Sequence, residues 1–148
     1  MNDVTAGPAA EVGAGQDETL LGLIHAGRVL EARVEKALAA VGLSLAKHGV
    51  LTLLVEAGEP LALSDLAARQ SCVRSNMTQL VDRLEAEGLV RRVNDPADRR
   101  VIRAALTPEG ARRQAAGARE LERLQSEFAA ELPEADRAAL QRLLSRLV

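Results

Sequence analysis

The stretch from Val73 to Leu106 constrains this chain most. Its first part sets Val73, Met77, Leu80, Val81 and Leu84 at i, i+4, i+7, i+8 and i+11, the spacing of one face of an α-helix. Gly88 follows and can take the left-handed conformation that stops a helix. The pattern then changes: Leu89 to Val93 and Val101 to Leu106 are rich in β-branched and aliphatic residues, and Asn94-Asp95-Pro96-Ala97-Asp98-Arg99-Arg100 between them is charged turn chemistry. A hairpin with a basic tip is expected. One helical stripe and one strand face must both be buried here, so further helices are needed to cover them.

The flanking sequence supplies those helices. Apolar residues Leu20, Leu21, Ile24, Val29, Leu30, Val34, Leu38 and Val41 recur at helical steps from Asp17 to near Gly42. Ser44 is placed to cap a second helix, with Leu45, Val50, Leu51, Leu54 and Val55 as its core face and Gly58 as its stop. Glu59 to Leu63 reads as a short extended piece, and Ser64 as the cap of a brief helix from Asp65 to Gln70 with Leu66 and Ala67 facing inward. A turn through Ser71 and Cys72 joins it to the longer helix. Thr107-Pro108-Glu109 reads as cap, Pro at the first helical position and an acid in the first turn of a helix running to about Glu131. A last helix after Pro133 carries Leu140, Leu143, Leu144 and Leu147. The fold class is therefore mainly α with a small β-hairpin wing.

Residues 1–15 are Gly, Ala, Pro and small polar types without periodicity, and are expected to be a flexible arm. Residues 16–148 are expected to form one domain. No apolar run reaches the roughly 18 residues of a membrane span, and the N-terminus lacks a signal pattern, so a cytoplasmic location is expected. The single cysteine excludes an internal disulfide, and two distant histidines do not make a metal site. Neither a nucleophile with a neighbouring base nor a phosphate-cradling glycine loop is evident, so neither catalysis nor a cofactor is expected.

The net charge of -2 hides an uneven distribution. Residues 69–103 hold eight arginines against five acids, whereas residues 1–43 hold three basic residues against six acids. The basic middle coincides with the long helix and the hairpin. The helix face opposite the apolar stripe presents Arg74, Ser75, Asn76, Thr78, Gln79, Asp82 and Arg83. Arg, Asn and Gln can make paired hydrogen bonds to guanine or adenine edges, and hydroxyls suit phosphate oxygens. Arg74, Asn76 and Gln79 are assigned to bases, and Ser75, Thr78 and Arg83 to the backbone or groove edge. A merely solvated polar face is the competing reading of the helix alone.

A short helix, a tight turn, a polar-faced helix and a charged hairpin follow the order of a winged helix-turn-helix. From Val41 to Gly110 the sequence resembles the MarR family of regulators. The matches are Leu66-Ala67, Arg74-Ser75-Asn76-Met77-Thr78, Leu80-Val81-Asp82-Arg83-Leu84-Glu85, Gly88-Leu89-Val90-Arg91-Arg92, Asp95-Pro96-Ala97-Asp98-Arg99-Arg100 and Leu106-Thr107-Pro108-Glu109-Gly110. The resemblance implies a DNA-binding part over residues 44–106, with residues 16–43 and 107–148 as dimerisation helices. It implies a homodimeric repressor that binds a pseudo-palindromic operator in double-stranded DNA and is relieved by a small-molecule effector or by oxidation. It further implies that Asp98 braces Arg100 in the minor groove, with Arg99 beside it on the wing.

Two regulatory candidates accompany the resemblance. Cys72 precedes the polar-faced helix, where the helix dipole and Arg74 favour a thiolate, although free cysteine is also a common buried hydrophobe. His25, Arg28 and His48 are candidates for lining an effector pocket, with structural histidines as the bland alternative. Phe128 is the one aromatic residue, which offers little for stacking a ligand. A winged-helix protein-interaction module without sequence-specific DNA binding is the alternative function.

Overall fold

Two helices of this chain start on a residue whose side chain caps the first turn, Ser44 and Thr107. In the computed structural model, residues 18–71 and 74–147 are described, Arg74 through its backbone alone. The expected arm over residues 1–15, Cys72 and Val73 lie outside the described residues. The elements are α1 (Glu18–Ala39), α2 (Leu45–Ala57), β1 (Leu61–Ala62), α3 (Leu63–Arg69), α4 (Arg74–Ala86), β2 (Val90–Asn94), β3 (Ile102–Leu106), α5 (Pro108–Glu131) and α6 (Glu134–Leu144). The chain divides into two units, residues 1–32 and 33–148. In the first, α1 exposes Leu20, Leu21, Leu23, Ile24, Val29 and Leu30. Among the described residues no helix is long and apolar enough to cross a membrane.

The second unit holds the core. The Ser44 hydroxyl accepts from the Lys47 amide at 3.2 Å, and α2 ends at Gly58 in the left-handed region. From α2 come Val50, Leu51 and Leu54, from α3 Leu66, and from α4 Met77, Val81 and Leu84, with Leu89, Val90 and Ala104 closing the cluster. The α4 stripe is thus buried as its spacing predicts, each large residue contributing about 1.5–3 kcal/mol of transfer free energy. Leu80 lies at the margin, half-buried.

Two departures from the sequence reading occur around residue 62. The extended piece becomes a true strand, because β1 adds to the hairpin as a third member in the order β1-β3-β2. Leu61 pairs with Ala104 and Ala62 with Arg103, antiparallel. That pairing holds Ala62 extended, so α3 springs from the strand at Leu63, with Ala62 at the cap position and no side-chain cap. Ser64 accordingly sits inside the first turn, and its expected capping role is corrected.

The entry to α5 is welded to the α4–β2 turn. Gly88 turns the chain with φ 72°. The Thr107 hydroxyl donates to the Gly88 carbonyl at 2.7 Å and itself accepts from the Gly110 amide at 3.0 Å. A Cβ on Gly110 would collide with the Leu89 carbonyl, so glycine permits this approach.

Further along, α5 crosses α2 at His48. The ring is buried, and its Nδ1 lies 3.5 Å from the Thr52 hydroxyl, which accepts from the Gln114 side-chain Nε2 at 3.3 Å. No hydrogen bond of normal geometry reaches Nε2. Burial lowers the pKa of the ring below the ordinary histidine value, an effect that the Gln114 backbone only partly offsets. Gly117 faces the ring, and a Cβ there would stand 2.5 Å from its Cδ2.

Gly117→Ala is expected to cost about 1–3 kcal/mol through overpacking against His48, read as a lower unfolding midpoint in denaturant. An unchanged midpoint would mean that the seam gives way freely. His48 also fixes a pH dependence. The folded ring resists the proton that the unfolded chain accepts near pH 6.5, so stability falls as pH drops below that value. The shifted carboxylates act lower, beneath their ordinary values of 3.8 and 4.5. Melting curves at pH 7.5, 6.5 and 5.5, values chosen to bracket about 6.5, should show a smaller acid loss in His48→Gln than in the wild type. Equal losses would remove His48 as the cause.

Candidate nucleic-acid interface

The α4 helix can present a polar face only if its other side is held, and β2 does the holding. Glu85, near the end of α4, accepts from the Arg92 amide at 2.8 Å and from its guanidinium at 2.6 Å. The same guanidinium pairs with Asp82 and reaches the Thr78 carbonyl at 3.5 Å. The Arg92 backbone amide and then its guanidinium hold the Glu85 carboxyl below the usual carboxylate range. Burial works against the charge on Arg92, but Glu85 and Asp82 together outweigh it. One arginine thus ties three successive turns of α4 to β2. Asp82, counted on the reading face from spacing alone, is turned towards β2 by this tie.

The other described polar side chains of α4 face solvent. Ser75, Asn76, Thr78, Gln79 and Arg83 are all exposed, and Arg74 opens the helix. Ser71, after α3, has φ 51°, a left-handed conformation that few non-glycine residues adopt.

At the wing, Asp95 is the buried centre. Its Oδ1 accepts from the amides of Ala97 at 2.7 Å and Asp98 at 3.0 Å, and its Oδ2 accepts from Arg103 Nε. The Arg103 guanidinium and then those two amides hold the Asp95 carboxyl below its ordinary value. Asp98 grips Arg100 three times, by its amide at 3.0 Å, its Nε at 3.1 Å and its Nη2 at 3.2 Å. The Arg100 guanidinium, followed by its amide, lowers the Asp98 carboxyl despite burial and the charge of Asp95. The Arg100 side chain is nevertheless 91% exposed, and Arg99 is exposed beside it. Between α3, α4 and the wing runs a cleft of about 330 Å³ lined by Ser64, Thr78, Arg92, Arg100 and Ile102 among others.

His25 and Arg28 are exposed on the part of α1 in the first unit, and His48 is buried in the second. Cys72 lies outside the described residues. Among the described residues, no group of His, Cys, Asp or Glu is placed to hold a metal ion.

A family profile described as the MarR family matches residues 43–102, the span from the α1–α2 turn to the start of β3. The transcriptional regulator (MarR family) from Rhodococcus sp. RHA1 superposes with a TM-score of 0.75 at 28% identity, over 92% of this chain and 96% of that one. This chain belongs to the MarR family. Another relative of that fold is CouR from Rhodococcus jostii RHA1. Its structure with p-coumaroyl-CoA matches at 30% identity and a TM-score of 0.71, over 89% of this chain and 92% of that one. A CouR structure on a 23-mer DNA duplex matches at 28% identity and a TM-score of 0.79, over 93% of this chain and 99% of that one. The HTH-type transcriptional regulator YsmB of Bacillus subtilis is 44% identical over 62 residues, which are 42% of each chain. The match therefore spans less than half the length of that curated relative. Winged-helix members of the MarR family share the architecture found here, a mostly helical chain with a small antiparallel sheet.

The matched span covers α4 and most of the wing. Two of the chain's own features on this surface, the Arg92 tie and the Asp95–Arg103 pair, were not foreseen from sequence. Both join residues of different segments of the chain, so no periodicity within one element marks them.

Proposed function

We propose that the chain is a homodimeric, sequence-specific DNA-binding regulator, a repressor released by a small-molecule effector. In this reading α4 lies in the major groove and the hairpin reaches the adjacent minor groove. Asn76 and Gln79, with Arg74, contact base edges, and Ser75, Thr78 and Arg83 contact the backbone. Residues 44–106 form the DNA-binding part.

The observation that carries the reading is the grip of Asp98 on Arg100. An ion pair exposed to this degree contributes little stability, since solvent screens it. Two hydrogen bonds on so exposed a side chain, with a third from its own backbone amide, serve instead to aim it. An aimed guanidinium at a hairpin tip suits a narrow minor groove, where the negative potential is enhanced. The CouR structure on DNA supports the same reading by likeness. The bound p-coumaroyl-CoA of CouR supports a small-molecule effector as the releasing signal, in preference to oxidation.

Dimerisation is proposed from apolar surface. In the second unit α6 and the turn after it expose Leu143, Leu144 and Leu147, and in the first unit α1 exposes its own leucines. A second copy related by a two-fold axis covers such faces, and it sets the two α4 helices on successive major grooves, about 34–36 Å apart. The operator is then pseudo-palindromic.

Fluorescence anisotropy on fragments selected from the source genome, at rising salt, tests this function. Affinity should fall steeply as counterions are released, and Arg100→Ala should weaken binding to most sequences and lower the salt slope by about one. Gln79→Ala should relax the preference at one base position at a cost of about 1–3 kcal/mol. A flat salt response would point to a protein-interaction module. Light scattering should give a dimer for the wild type and a monomer for the double substitution Leu143→Glu, Leu147→Glu. A monomeric wild type would defeat the paired arrangement.

A further inference from the structure

We propose that Arg103 is a positioning residue for DNA recognition: it fixes the place of the Arg100 guanidinium without touching DNA itself. The proposal rests on the DNA-binding reading above and adds a residue to it. Arg103 lies in β3, below the wing tip, with its side chain only one-third exposed. Its Nη1 donates to the Pro60 carbonyl at 3.0 Å, and its Nε donates to Asp95. One guanidinium therefore bridges the loop before β1 and the root of the wing. The backbone holds its base firmly as well, because Arg103 pairs with Ala62 on one side and with Val93 on the other.

From Arg103 the connection runs outward in short steps. The Asp95 carboxylate, held by Arg103, accepts from the Asp98 amide. The Asp95 amide in turn donates to the Val101 carbonyl at 3.0 Å, and the Val101 amide to the Asp98 carbonyl at 2.9 Å, which closes the loop. Asp98, fixed at its backbone, aims Arg100.

Charge makes the link stronger than geometry alone. Asp95 and Asp98 are both acids within one tight loop, and their mutual repulsion opposes ionisation of Asp98. Arg103 neutralises the buried member of the pair. Without it, Asp95 retains a buried charge that is satisfied only by loop amides, and such a carboxylate draws water or a different cation towards itself. Arg100 is a cation of the same loop, already turned towards Asp98, and its capture by Asp95 would pull it away from the tip. The whole connection is missing from the sequence pattern because residues 95 and 103 face each other only after the hairpin closes.

A double-mutant cycle on DNA affinity tests the proposal. Arg100→Ala and Arg103→Met should each weaken binding on the order of tenfold. Combined, they should weaken it little more than either alone, leaving Arg103→Met an effect below about twofold in the Arg100→Ala background. Arg103→Lys keeps a cation for Asp95 and should recover part of the affinity. It also replaces the methionine variant in the cycle if that variant does not fold. Amide exchange at Ala97 and Asp98 should accelerate in either Arg103 variant and stay unchanged in Arg100→Ala. Multiplicative losses, or unaltered exchange at those two amides, overturn the positioning role while leaving DNA binding intact. Should Arg100→Ala itself have no effect on affinity, the wing contact and the role of Arg103 both fail.

Discussion

The presentation of α4 depends on how one arginine is shared. Arg92 donates to Glu85 and pairs with Asp82, one turn apart on α4, and its own amide donates to Glu85 as well. Because Arg92 belongs to β2, the helix and the sheet cannot rotate independently without breaking several charge-assisted bonds at once. A helix that inserts into a groove must meet the duplex in one orientation relative to whatever else makes contact. The tie at Arg92 fixes that orientation between α4 and the wing, and the α4 stripe of Met77, Val81 and Leu84 fixes which face is left over.

The three-stranded sheet does related work. With β1 on one side of β3 and β2 on the other, the hairpin is anchored to the chain before α3 as well as to the chain after α4. Both members of the α3–α4 pair are therefore tethered to β3. The beginning of α5 is joined to the same turn through Thr107 and the close approach at Gly110. The start of α5 thus touches Gly88 and Leu89, at the junction of α4 with β2. His48 and Gly117 provide a second contact between α5 and the helices below it.

Much of this was legible in the sequence where a period or a cap residue spoke for itself. The α4 stripe, the caps at Ser44 and Thr107, the stops at Gly58 and Gly88 and the two hairpin strands are all local signals, and the structure has them in place. The start of α3 was misread because a serine inside a first turn has the same composition as a serine at a cap. Only the pairing of Ala62 with Arg103, a contact across forty residues of chain, decides between them. The ion pairs were illegible for a similar reason. Asp82 has the helical phase of a reading residue, and nothing in the spacing tells that an arginine ten positions later will claim it.

Those ion pairs resolve how an acidic chain can approach a polyanion. Of the five acids between residues 69 and 103, Asp82 and Glu85 are taken by Arg92, Asp95 by Arg103 and Asp98 by Arg100, while Glu87 pairs with Lys47 on α2. Every negative charge in the basic middle thus faces a cation of the chain itself. Arg83, Arg91, Arg99 and Arg100 remain exposed. Those arginines are therefore open to a phosphate, and at ordinary ionic strength charges beyond about 8–10 Å are largely screened. What governs the approach is the local arrangement, and that arrangement exists because α4 and the wing are held together by the acids that would otherwise repel the duplex.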